Sequence, residues 1–232
     1  MKLNGILFVH IPRTGGTHFE KLLGFKGHST PPRCGSALYG SNREELMGWD
    51  KEIQLVLTHL TYEEMLCSYN VANLKSGRRN HENEPQTKTY TPVHCNEKLI
   101  KVSIIRNPYH RTASLFGYFG GPKKWGSFKS FLDHLEGGMI NQYFYKPQYK
   151  FITLKGGVVI DNLIRFENYK TDTENFKAKY NLNFNVTFDT QKQLKKSEAN
   201  FAKYYKDEIL RRRVEKIYQK DFELFGYPYG SA

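Results

Sequence analysis

Apolar residues fall in short runs separated by polar, glycine-rich stretches, the pattern of strands alternating with helices. Ile6–Val9 is an apolar run that predicts a buried strand. Leu99–Ile105 predicts a second, followed by Arg106-Asn107-Pro108. Asn107 is a good N-cap and Pro108 suits a first helical position, so a helix is expected from Pro108 to about Tyr118. Glu52–Leu57 predicts a further strand ending at Thr58-His59, with a helix over 61–71. Helical patterns recur near Ser127–Leu135 and Tyr169–Tyr180. Leu210, Val214, Ile217, Tyr218, Phe222 and Phe225 recur at helical spacing, predicting an amphipathic closing helix that Gly226 stops. Asn73–Glu97 is polar, carries Gly77, Pro85 and Pro92, and reads as a long loop or insertion. Strands alternating with helices imply an α/β fold: a mostly parallel central sheet flanked by helices, with ligand loops at the strand carboxyl ends.

The first such loop carries the most chemistry. After Val9 the chain reads His10-Ile11-Pro12-Arg13-Thr14-Gly15-Gly16-Thr17, then resumes with helix-compatible spacing. Strand, glycine turn and helix start aim several backbone N–H groups at one point, a geometry that holds phosphate or sulfate. Thr17-x-x-Glu20 also fits a capping box, placing the helix start here. An ATP- or GTP-binding loop needs lysine directly before the hydroxyl residue, whereas Gly16 precedes Thr17 and the cation, Arg13, lies inside the turn. A kinase would therefore need a degenerate loop.

Ile-Pro-Arg-Thr-Gly-Gly-Thr resembles the 5′-phosphosulfate loop of sulfotransferases that use PAPS (3′-phosphoadenosine 5′-phosphosulfate). It is most similar to the carbohydrate branch (heparan/chondroitin-type, Golgi-like), which usually reads His-Ile-Pro-Lys-Thr-Gly-Gly-Thr. Arg13 replaces the usual lysine, keeping the charge but substituting a planar fork for a point charge. Arg106 to Ser114 resembles the family's 3′-phosphate signature, an arginine at a strand end and a serine eight residues later; Asn107 stands where aspartate is usual. Arginine and hydroxyl together suit a phosphate monoester. Asp161–Tyr169 looks like the family's late strand, and Tyr204–Tyr227 like its closing helix.

The resemblance implies one sulfotransferase domain over residues 1–232 with a P-loop-like three-layer sandwich, moving a sulfuryl group from PAPS to a carbohydrate hydroxyl. Arg13, Thr14, Gly15, Gly16, Thr17 and His18 would hold the 5′-phosphosulfate, Arg13 also stabilising transfer, while Arg106 and Ser114 hold the 3′-phosphate. Deprotonating the acceptor calls for a histidine. His59 leads: it ends a predicted strand on the rim of both loops, and Thr-His-Leu-Thr-Tyr resembles the stretch where family members place their base, with Thr58 in place of glycine. His10 is expected to orient the loop, with His18 and Glu20 as reserves. Tyr118, Phe119, Trp125, Tyr143, Phe144 and Tyr145 cluster after the second loop; most are expected in the core, with one or two lining an acceptor cleft.

Composition refines this picture. At 232 residues the chain is long enough for a substantial core, and no apolar run reaches membrane-spanning length. Neither a signal peptide nor an anchor is read at the N-terminus, which predicts a cytoplasmic or otherwise soluble protein, or a trimmed Golgi type. Three scattered cysteines (Cys34, Cys67, Cys95) suit free thiols, and His94 beside Cys95 lacks a partner pair, so no metal is expected. The net charge of +12 suits a polyanionic partner. An anionic donor and an acidic glycan account for it without nucleic acid, although a polyanion-binding module without catalysis remains the alternative. Lys192, Lys195, Lys196, Lys203 and Arg211–Arg213 read as a solvated face. The acceptor's identity and the oligomeric state are not legible.

Overall fold

The computed structural model describes residues 2–25, 49–50, 55–66, 69–70, 89–90, 98–142, 144–186 and 201–230. Its central sheet has four strands in the order β1 (Lys2–Leu3), β2 (Ile6–Val9), β3 (Ile100–Ile105), β4 (Asn162–Arg165). β1 and β2 form an antiparallel hairpin, while β2, β3 and β4 run parallel, with Phe8 opposite Val102 and Ile164 opposite Ile104. The sheet is therefore mostly parallel, as the alternating pattern implies. Its parallel strands are covered on both sides.

Alternation along the strands sorts side chains between two cores. Ile6, Phe8, Val102, Ile104 and Ile164 face α1 (Gly16–Leu22) and α7 (Tyr169–Lys179), where they meet Phe19, Tyr169 and Phe176. Leu7, Val9 and Ile105 face the opposite way, onto a larger cluster that includes α3 (Pro108–Tyr118), α5 (Phe128–Glu136) and α8 (Glu208–Ile217). Helix, sheet and helix make three layers. Shorter helices α2 (Tyr62–Leu66), α4 (Gly121–Trp125), α6 (Tyr149–Ile152) and α9 (Gln219–Phe225) complete the described framework.

Local expectations are met unevenly. Helix α3 begins as predicted: the Asn107 side chain accepts the amide of Tyr109 at 2.9 Å, with Pro108 in the first position. The closing segment is two helices instead of one, broken at Tyr218 and stopped at Gly226, whose φ is 63°. Residues 55–56 pair antiparallel with 49–50 in a separate ribbon, not with the central sheet. The expected loop over 73–97 falls largely outside the described residues; within it, Thr89–Tyr90 pairs with Tyr69–Asn70. The three cysteines, His94, Lys192, Lys195 and Lys196 also lie outside them. No helix among the described residues is long and apolar enough to cross a membrane.

Candidate active site

The loop after β2 is shaped by hydrogen bonds and close approach. The Thr14 hydroxyl donates to the Ile11 carbonyl at 2.8 Å, committing this buried side chain to the turn. Arg13 adopts φ 68°, a left-handed backbone uncommon outside glycine. Arg111, fully enclosed, donates Nε to the Pro12 carbonyl at 3.0 Å and Nη2 to the Phe144 carbonyl at 3.1 Å, so α3 staples the loop from behind. Both glycines are demanded by contact. A Cβ on Gly15 would lie 2.8 Å from the Phe166 ring, and one on Gly16 would lie 2.2 Å from the His10 ring.

The expected capping box does not form. Helix α1 starts at Gly16 behind Gly15, whose φ is 91°, with no side-chain cap. Glu20 turns inward instead, fully buried, and one carboxylate oxygen meets Nδ1 of His10. A buried carboxylate needs a partner more than a helix start needs a second cap.

Arg106 closes the opposite wall. It ends β3, is only 6% exposed, and donates Nη1 to the Arg13 carbonyl at 3.3 Å. Its guanidinium lies 4.2 Å over the Phe166 ring. The Nε of Arg106 is buried without a hydrogen-bond partner among the described residues. Burial draws this group down to about 10, opposed by neighbouring Glu167, so it is still a cation at neutral pH. Arg13 donates Nε to the Ser114 hydroxyl at 3.1 Å and lies 4.2 Å beneath the exposed Tyr118 ring. Residues 101 positions apart in sequence are thus bonded side chain to side chain.

Between these walls opens a cavity of about 310 Å³. Arg13, Gly15, Gly16, Thr17 and His18 line one side, with His10, Lys21, Arg106 and Phe166 completing it. Among the described residues three permanent cations, Arg13, Lys21 and Arg106, and no carboxylate face the space. Burial, then Lys21, lowers the affinity of His18 for a proton. Thr14 is turned away, and Ser114 reaches the site through Arg13.

His59 is set beside the cavity, not in its lining. It ends a 3-10 turn (Leu57–His59) instead of a strand. Its Nδ1 faces the His10 carbonyl at 3.2 Å, and its ring is 4.6 Å from that of His10 and 5.3 Å from that of Phe144. Because a carbonyl only accepts, Nδ1 must carry the hydrogen, which leaves Nε2 with the lone pair in neutral imidazole. A capping box does form just beyond it: Thr61 Oγ1 accepts the Glu64 amide at 3.2 Å, and Glu64 accepts the Thr61 amide at 2.7 Å. Lys146 holds Glu64 at 3.1 Å.

Comparison with protein-family models matches residues 2–228 to the sulfotransferase family. The chain belongs to that family. Searches of curated proteins and of solved structures return no match. The match spans both cavity walls and the closing helices.

In this sulfotransferase the late segments, read from sequence as structural support, form the backing of the cavity. Glu167 Oε1 accepts the Asn107 amide at 2.7 Å, and its other oxygen accepts the Tyr227 hydroxyl at 3.0 Å. Gln148 accepts the Arg106 amide at 2.9 Å and donates to the Arg106 carbonyl at 2.8 Å. Asp221, buried in α9, accepts the amides of Gln148 and Tyr149, each at 2.8 Å. Phe166 was the main omission of the sequence reading. Its ring lies under the Arg106 guanidinium and against Gly15, and the only signal for it in the sequence is its place within Asp161–Tyr169, just after a predicted strand. Among the described residues no group of three or more His, Cys, Asp or Glu is placed to hold a metal.

Proposed function

We propose that this sulfotransferase transfers the sulfuryl group of PAPS to a carbohydrate hydroxyl, with His59 as base. The observation that carries the reading is the direct meeting of the two anion-binding segments, Arg13 Nε to Ser114 Oγ and Arg106 Nη1 to the Arg13 carbonyl, around one cation-lined cavity. A single small molecule with anionic groups at two ends suits that arrangement better than two separate anions. The residues fit such a donor: Gly15 and Gly16 line the cavity, and the buried Nε of Arg106 has a donor to spare.

PAPS, when bound, supplies an activated sulfuryl group on a phosphate leaving group. Arg13 and the amides of residues 14–17 would bind that phosphosulfate end and neutralise charge as it develops on the leaving oxygen. Arg106 and Ser114 would hold the 3′-phosphate, Ser114 exchanging its bond from Arg13 for one to the ligand. His59, its Nδ1 hydrogen directed at the His10 carbonyl, would take the acceptor's proton on Nε2. Exposed Tyr118 over Arg13, and Phe144 against His59, offer aromatic faces of the kind sugar rings stack on.

Thermal-shift titration with adenosine 3′,5′-bisphosphate tests the donor. At a hundredfold excess over Kd, binding adds about 2.7 kcal/mol, which raises the midpoint by roughly 5–10 °C for a chain of this size. A preference for ATP would replace the reading with a kinase, and response to heparin or DNA alone with a binding module. Incubation with labelled PAPS and a glycan panel tests transfer; His59→Ala is expected to abolish labelled product while retaining the bisphosphate shift.

A further inference from the structure

Burial does not explain the placement of one aromatic side chain beside the cavity. Tyr118, the last residue of α3, is 55% exposed, yet its ring covers the Arg13 guanidinium at 4.2 Å. Ser114 lies one turn earlier on the same helix face and accepts Arg13 Nε at 3.1 Å. Helix α3 thus holds the guanidinium at two points, with a hydroxyl and with a ring. The backbone beneath is fixed separately. The Arg13 carbonyl accepts Nη1 of Arg106 at 3.3 Å, and the Pro12 carbonyl accepts Nε of Arg111 at 3.0 Å. With φ 68° at Arg13, the side chain leaves a set backbone, and its contacts with Ser114 and Tyr118 decide where the charge lies. The Tyr118 ring is itself braced by Phe119, 4.9 Å away at 87°.

We propose that Tyr118 is a positioning residue for Arg13, its ring holding the guanidinium against the cavity wall for the 5′ end of the bound nucleotide. The proposal rests on reading the cavity as a nucleotide site. A planar, weakly hydrated guanidinium stacks on an aromatic face, whereas an ammonium is a strongly hydrated point charge on a flexible stem. Nε is given to Ser114, so Nη1 and Nη2 carry the other four of the five N–H donors toward phosphate or sulfate oxygens. Ser114 gives up its bond from Arg13 when it takes the 3′-phosphate. The ring does not, so Tyr118 is the contact that persists once the site is loaded. Holding Arg13 before the nucleotide arrives also lowers the side-chain freedom lost on binding.

Adenosine 3′,5′-bisphosphate and adenosine 3′-monophosphate differ only in the 5′-phosphate, so the ratio of their dissociation constants isolates the end that Arg13 serves. Titration calorimetry reads that ratio in wild type, Tyr118→Leu, Tyr118→Phe, Arg13→Lys and the double variant Arg13→Lys/Tyr118→Leu. Tyr118→Leu is expected to weaken the bisphosphate about five- to tenfold and to leave the 3′-monophosphate unchanged. Tyr118→Phe keeps the ring and should bind both as wild type does. In the Arg13→Lys background the Tyr118→Leu change should cost about twofold or less, because the planar partner is gone. Position 118 is exposed, so melting temperatures of the single Tyr118 variants should stay at the wild-type value. An unchanged ratio in Tyr118→Leu, an equal loss with both nucleotides, or the same loss in the Arg13→Lys background overturns the proposal while leaving the nucleotide reading intact. Failure of the bisphosphate to bind wild type removes both.

Discussion

At the scale of single residues, the cavity trades folding stability for charge. Arg106 is a cation with 6% exposure, set over an aromatic ring and bonded to one carbonyl. Such a group costs desolvation, which an anion bound in the cavity would recover. Replacing it with methionine, similar in length and compatible with a ring beneath, is expected to leave the unliganded melting temperature unchanged or higher. The same change removes charge-assisted bonds of about 1.5–3 kcal/mol each, weakening adenosine 3′,5′-bisphosphate by roughly a hundredfold. Thermal shift and calorimetry on one preparation read both effects, and a variant that melts early yet binds normally would deny Arg106 this role. Gly16 makes a complementary case. Its Cβ position lies 2.2 Å from the His10 ring, so Gly16→Ala should cost about 1–3 kcal/mol in urea unfolding, and much of that loss should return when His10→Ala is added.

At the scale of elements, the strand ends are held by segments remote in sequence. Gln148, in the turn before α6, bonds both backbone groups of Arg106 and is itself held through its amide by Asp221 of α9. Gln148→Ala leaves a buried N–H and C=O unsatisfied, an expected loss of about 2–4 kcal/mol in urea unfolding. Bisphosphate affinity should fall too, although Gln148 does not line the cavity; unchanged affinity would show that Arg106 holds its place without this support. This second layer obeys no local pattern in the sequence. The apolar runs of β2 and β3, the Asn107-Pro108 helix start and the glycine turn were legible because each is a local pattern obeying a local rule. Glu20 was misread because the capping rule sees three residues of spacing and cannot see His10 across the strand. His59 was expected at a strand end because an apolar run over Glu52–Leu57 does not reveal that its described part pairs outside the central sheet. Phe166 and Gln148 act through distances that only folding brings together.

At the scale of the whole molecule, two buried groups set opposing responses to acid. Burial raises the Asp221 carboxyl to about 6, from an ordinary value of 3.8. Between those values the folded chain holds a proton that the unfolded chain has released, so Asp221 stabilises the fold at low pH, and that contribution is lost as pH rises through 6. His110 behaves in reverse. Burial, reinforced by Arg106, lowers it to about 4 from 6.5, and its Nδ1 has no hydrogen-bond partner among the described residues. There the unfolded chain holds the extra proton, so stability is present above 6.5 and lost as pH falls through 4. Each window corresponds to about 3 kcal/mol at about 1.4 kcal/mol per unit. The two overlap between pH 4 and 6 and largely cancel. Removing one should therefore expose the other. His110→Phe is expected to gain stability relative to wild type on acidification from pH 6.5 to 4, and Asp221→Asn to lose it. Urea unfolding across that range, taken as the difference between variant and wild type, subtracts the titration of every unaffected group. Two differences of the same sign, or two that stay flat with pH, would contradict this pairing. Opposite slopes would show that the buried His110 and Asp221 offset each other's response to acid.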